Sequence, residues 1–402
     1  MPKFNIAVLL FFFAVVANAS TTPFEYVTQN IMIAGKSYTV ILPKGYRLEL
    51  LTHQLDKPRL LTFSANGDLF IGSGSDTVYR LPPPYTRPEK LIELQGYPHS
   101  IAFRKDEILI AKTDGLYHAP YHQAQRRIKE EEVSLLAPLS DSGGHSSRTV
   151  AIGPDGNVYL SLGISGNCSD EYLAKTYSFS NRRGGVLKLL ESNTGNSWTT
   201  FASGLRNPVG FDWQPLTGEM YASNNGPDHH GYERPPEYFS RVLPGSFHGM
   251  PWFQFDGKNI SRDTCIKSKP PRPIKEVTRP VLTFPARNAP MGLTFIPQGA
   301  MSESMVGDAI VALHGSWATQ PDGAYFGDNA TRRHPKIVIV RFEKGEAKRV
   351  DDLISGFQLA NGSRWARPVG ITIGPDGALY FTSDGGIHGL FRLKRVRRRL
   401  KN

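Results

Sequence analysis

Along residues 143 to 163, Val150 and Ile152 alternate with polar neighbours, Pro154-Asp155-Gly156 breaks the run, and Val158, Leu160 and Leu162 resume it. Period-two alternation on both sides of a Pro-Asp-Gly turn predicts two strands joined as a tight hairpin. The pattern recurs from Arg59, from His99, from Asn207, over 290–295 with 307–313, and from Arg367. Six copies of one hairpin, first about 40 and later 60 or more residues apart, predict an all-β chain folded as a six-bladed β-propeller. The widening intervals are read as long loop insertions on the site face.

In a propeller the innermost strand of each blade lines the channel. The polar residues that lead into the six inner strands should therefore converge. That set is Arg59, His99, His145 with Arg148, Arg206 with Asn207, Arg287 with Asn288, and Arg367. Like charges held close in a poorly solvated pocket repel, so a ring this basic implies an anionic ligand, and guanidinium forks suit carboxylates or phosphates.

Composition refines the picture. Among 402 residues, 39 glycines, 30 prolines and 21% charged residues fit a turn-rich globular chain with a large core. Lys3, an apolar run over 6–16 and Ala17-Asn18-Ala19 read as a signal peptide over residues 1–19. The expected layout is then an N-terminal extension over 20–44, the propeller over 45–394 and a basic tail over 395–402. A secreted or periplasmic protein follows, with no integral membrane segment. Six of the charges behind the net +11 crowd the last nine residues, leaving +5 for the rest, and nothing resembles a nucleic-acid module. Cys168 and Cys265 permit one disulfide in an oxidising compartment or two buried thiols, since sequence supplies no distance between them.

The stretches Gly143-Gly-His145-Ser-Ser-Arg148, Gly204-Leu-Arg206-Asn207-Pro-Val-Gly, Asn224-Asn-Gly226-Pro-Asp, Ala289-Pro-Met-Gly-Leu, His314-Gly-Ser-Trp317 and Arg367-Pro-Val-Gly together resemble the soluble pyrroloquinoline quinone (PQQ) sugar dehydrogenases. The sorbosone and aldose dehydrogenase-like branch looks closest. The resemblance implies oxidation of an aldose or related sugar, with hydride passing to PQQ and electrons going on to an unidentified acceptor. It makes His145 the general base, with Arg206 stabilising charge on the reacting quinone. Arg59, Arg148, Asn207, Asn288, His314 and Arg367 become cofactor contacts; His99, Gln95 and Trp252 become substrate contacts. Gly226, Pro227 and Asp228 match positions that hold calcium beside the cofactor. Two departures stand out. Glucose-oxidising members place an aspartate behind the catalytic histidine where this chain has Ile164, so another group must orient His145, and family acidic residues after Gly226 are replaced by Tyr232 and Tyr238. The competing readings are a propeller lactonase that uses a metal and a non-catalytic ligand-binding propeller.

Overall fold

The computed structural model describes residues 23–140, 144–170 and 183–396. The signal-peptide reading and the last six residues of the basic tail fall outside them. Among the described residues no helix is long and apolar enough to cross a membrane.

The alternating runs pair as antiparallel hairpins, and each hairpin is extended by two further strands into a four-stranded sheet; among the described residues there are six such sheets. Blade I holds Pro58–Phe63, Leu69–Ser73, Thr77–Leu81 and Glu89–Glu93, and blade II holds Ser100–Arg104, Glu107–Lys112, Gly115–Pro120 and Ser134–Pro138. Blade III holds Arg148–Ile152, Val158–Leu162, Gly185–Leu190 and Ser197–Ser203. Blade IV holds Phe211–Trp213, Met220–Asn224, Glu237–Val242 and Leu282–Phe284, and blade V holds Pro290–Phe295, Ala309–Leu313, Lys336–Glu343 and Glu346–Ile354. Blade VI takes Ala366–Ile373, Leu379–Gly386 and Gly389–Arg395 from the C-terminal end of the chain and Tyr46–Thr52 from the N-terminal end. That shared blade closes the ring, with Leu48 opposite Leu393 and Tyr46–Thr52 as the outer strand of the sheet.

Apolar faces pack between neighbouring blades in separate clusters, among them one that joins Leu109, Val150 and Leu160 and one that joins Phe239, Val311 and Val340. The repeated Pro-Val-Gly and Pro-Met-Gly motifs have a packing cause. A Cβ on Gly292 would lie 2.6 Å from the Val369 carbonyl oxygen, and one on Gly210 would lie 2.2 Å from that of Met291. Glycine at this point of the inner strand lets the next blade approach backbone to backbone.

Within the stretch read as an N-terminal extension, Tyr26–Ile33 and Lys36–Pro43 form a separate hairpin. Its Val40 and Leu42 are fully buried against blades V and VI, and Tyr38 stacks on Trp365 with ring centroids 4.8 Å apart. The insertion over 243–281 passes between blades III and IV, where Phe247 bridges to Ser203 and to Val277. It carries a small hairpin, Phe253–Phe255 with Ile260–Arg262.

Antiparallel pairing decides what reaches the mouth of the channel. Arg148 lies opposite Leu162, Pro290 opposite Leu313 and Pro368 opposite Ser383. The trailing ends of the second strands therefore sit beside the leading ends of the first, so both contribute side chains to one face.

Candidate functional site

His145 stands just before the inner strand of blade III. Its Nδ1 lies 2.6 Å from the backbone carbonyl oxygen of Ile164, which can only accept, so Nδ1 carries the proton and Nε2 keeps its lone pair. The missing aspartate is thus replaced by the main chain of the residue that displaced it. Gly163 makes the fit possible: a Cβ there would come within 2.7 Å of His145 Cβ and 2.6 Å of Asn207 Oδ1. Burial and the nearby Arg206 charge push the imidazole down to about 4, so it is neutral and able to accept a proton at ordinary pH.

Opposite blade III, Asp384 at the trailing end of a blade VI strand is the hub of a second group. It pairs with Arg59 and accepts from His314 Nε2 at 2.6 Å. His314 Nδ1 in turn accepts from Arg367 Nη2 at 2.8 Å, which fixes the tautomer. Arg59 Nη2 also lies 3.5 Å from His99 Nε2, and His99 Nδ1 donates to the Arg148 carbonyl oxygen at 2.8 Å. Tyr97 completes the patch, its ring centroid 5.7 Å from the Arg59 guanidinium and 5.4 Å from the His99 ring. Neither Asp384 nor Tyr97 was picked out from the sequence. The signal for Asp384 lay in the hairpin register, which places a second-strand end beside Arg367.

Between these groups, Arg206 donates from Nε to the Asn167 carbonyl oxygen at 2.9 Å and from Nη2 to Asn167 Oδ1 at 3.0 Å. Asn167 Oδ1 also accepts from the Asp228 backbone N–H at 2.8 Å. The next residue, Cys168, is disulfide-bonded to Cys265, 97 residues on, with Cα atoms 6.2 Å apart. The loop that aims Arg206 is therefore tied covalently to the 243–281 insertion.

The calcium expectation does not fit. Arg287 donates to the Pro227 carbonyl oxygen, to Asp228 Oδ1 at 2.9 Å and to the Arg234 carbonyl oxygen at 3.0 Å, and it also bonds the Gly231 carbonyl oxygen. A guanidinium thus already occupies the Pro227 carbonyl oxygen and pairs with the Asp228 carboxylate, two of the three residues read as calcium ligands. The third, Gly226, donates its N–H to the buried Glu237, whose carboxyl burial pushes up to about 7.

Other sequence assignments also change. Arg148 is fully buried and its guanidinium donates to the carbonyl oxygens of Thr113, His145, Ser147 and Ser140. It holds the loop that carries His145 and is buried away from a ligand. Asn288 is buried and donates to the His334 carbonyl oxygen at 3.2 Å, anchoring the 315–335 connection. Trp252 is 1% exposed in an apolar cluster with Ile164, Phe247 and Met250, so it offers no ring face to a sugar. Gln95 is exposed two residues before Tyr97, and it is Tyr97 that meets Arg59. Asn207 donates its backbone N–H to Asn224 Oδ1 at 3.0 Å, and its carbonyl oxygen accepts from the Asn225 backbone N–H and Nδ2, each at 3.2 Å.

The ring carries its own anions, and they do not balance it. Arg364 lies beside Arg367 and Arg332, and burial together with those two charges pushes its guanidinium down to about 10. The Nε atoms of Arg59 and Arg332 are buried without a hydrogen-bond partner among the described residues. Unpaired guanidinium donors and an excess of positive charge fit a carboxylate-bearing ligand such as PQQ. Two hollows lie away from this site. One of about 1150 Å³ is lined by Phe24, Tyr46, Met305 and Lys394, and one of about 330 Å³ opens at the other end of the channel by Phe63, Phe103 and Trp213. Neither contains a histidine.

A family model described as TrAA12-like matches residues 40–236 and 252–393. An uncharacterised protein of Borreliella burgdorferi is 25% identical over 385 residues, covering 90% of this chain and 93% of that one. An iodide structure of the Trichoderma reesei carbohydrate-active enzymes family AA12 superposes with a TM-score of 0.75 at 18% identity, over 92% of this chain and all of that one (100%). The holo PQQ domain of the Coprinopsis cinerea pyranose dehydrogenase superposes with a TM-score of 0.69 at 20% identity, over 89% and 97% of the two chains. At such identities these structures establish the shared fold.

Proposed function

We propose, from the premise that this chain belongs to the TrAA12-like family, that the protein is a PQQ-dependent sugar oxidoreductase acting on an aldose or related sugar. The observation that carries the reading is the pairing of a neutral, backbone-oriented His145 with an under-neutralised basic rim. The matches to a holo pyranose dehydrogenase PQQ domain and to a PQQ-bound aldose sugar dehydrogenase of Streptomyces coelicolor support it.

Arg59, Arg367 and Arg206 are the residues that would hold the carboxylates and quinone oxygens, with Asn207 beside them. PQQ, when bound, supplies the two-electron acceptor that the side chains lack. His145 takes the sugar hydroxyl proton at Nε2 while its Nδ1–H stays on the Ile164 carbonyl oxygen. An anion beside Arg206 would offset the second cause of the imidazole's depression, the Arg206 charge, while burial, the larger cause, remains. Arg206 is itself held by Asn167, so its donors are preorganised for developing negative charge. Calcium has no part in this scheme, because Arg287 engages Pro227 and Asp228.

Purified mature protein given PQQ should reduce an artificial dye when supplied with one or more members of an aldose panel. PQQ binding without dye reduction on any sugar would leave a non-catalytic binder. Ester or lactone hydrolysis without PQQ binding would turn the assignment to a hydrolase.

A further inference from the structure

We propose that His229, His230 and Asp263 form a binding site for a divalent transition-metal ion of the zinc and copper class, on the loop next to Arg206. His229 Nε2 lies 2.9 Å from Asp263 Oδ1, and His230 Nε2 lies 3.1 Å from Asp263 Oδ2. All three ligand atoms fall within 4.8 Å of one another. A tetrahedral ion with bonds of about 2.0–2.2 Å needs ligand atoms about 3.3–3.5 Å apart. The two imidazoles contact different oxygens of the one carboxylate, and with all three ligand atoms within 4.8 Å a shift of about 1 Å in the imidazoles brings them to that spacing.

The ligands are held in advance. The Asp263 side chain is 0% exposed, its carboxylate accepts the Cys265 backbone N–H at 2.9 Å, and its own N–H donates to the Trp252 carbonyl oxygen at 2.8 Å. The imidazoles, with side chains 24% and 33% exposed, form the solvent side, so an ion can enter and a water can fill a fourth position. Two imidazoles and one carboxylate select zinc or copper over calcium or magnesium, which want oxygen ligands in larger number. His229 Nδ1 lies 3.5 Å from Cys168 Sγ, an acceptor for the Nδ1–H that frees Nε2 for the metal. Adopting that tautomer gives up the 3.3 Å contact from Asn167 Nδ2, the shorter of the two at Nδ1, and the Nε2–H bond to Asp263 that a metal ion would replace.

This site is independent of PQQ, and its test uses neither cofactor nor turnover. Zn2+ is titrated calorimetrically into untagged, chelator-stripped protein with the disulfide intact. The expected result is one ion per chain, with affinity reduced at least tenfold in His230→Ala and in His229→Gln. Both histidines are partly exposed, so the variants should fold, and unchanged thermal unfolding in chelator checks this. No binding to the wild-type protein, wild-type affinity in both variants, or binding only after reduction of Cys168–Cys265 would each overturn the proposal.

Discussion

His145→Gln should lower turnover by roughly 10²–10⁴-fold, the usual contribution of a positioned general base. Glutamine approximates the size of the ring and can hydrogen-bond the Ile164 carbonyl oxygen, but it cannot take a proton at the position of Nε2. Because no carboxylate backs the imidazole, the effect should come from losing the base alone, and affinity for PQQ should change by less than about threefold. Steady-state dye reduction and a separate PQQ titration read the two quantities. Turnover close to wild type would remove His145 from the chemistry, whereas lost cofactor affinity with proportionate activity would make it a binding residue.

Asp384→Asn is expected to be the most destabilising single change at the site. The carboxylate pairs with Arg59 and His314 where side-chain exposures are only 14%, 9% and 13%. Removing one partner of a buried pair leaves uncompensated charge and costs about 3–5 kcal/mol. Burial works to raise the Asp384 carboxyl, but His314 and then Arg59 and Arg367 outweigh it and hold the group well below the usual carboxylate range. The sign follows from that depression. Stability from Asp384 is fully present above the ordinary aspartate value and is lost as pH falls through the lower native one. Denaturant unfolding at neutral pH should show the loss in the variant, and the difference from wild type should shrink under strongly acid conditions. An unchanged midpoint at neutral pH would mean that Arg59 and His314 find other partners.

The hairpins were legible because period-two alternation around Gly and Pro turns is a local signal, and the inner two strands of all six blades lie where it placed them. The closing strand Tyr46–Thr52 was not legible as part of blade VI, since its partner lies at the other end of the chain and alternation does not name partners. At the site, reading only the leading ends of the inner strands collected the arginines and missed Asp384. The ring is less basic than its arginines alone imply, because Asp384 and Asp228 already supply part of the charge; what remains for an anion is the guanidinium atoms left over. Arg148 shows the same limit, because sequence position put it at the channel but four backbone carbonyls consume it. The fate of Arg287 depended on the path of the 227–234 loop, which no local pattern encodes. The cysteine pair stayed open for a related reason: 97 residues separate its members.

Titration of PQQ into the protein in chelator-containing, calcium-free buffer tests the central idea most directly, that arginines at the channel mouth cradle an anionic quinone beside His145. The account predicts one PQQ per chain, binding that weakens as salt is raised, and at least a tenfold loss of affinity in Arg367→Ala. Absence of binding, or binding that appears only when calcium is restored, would contradict it.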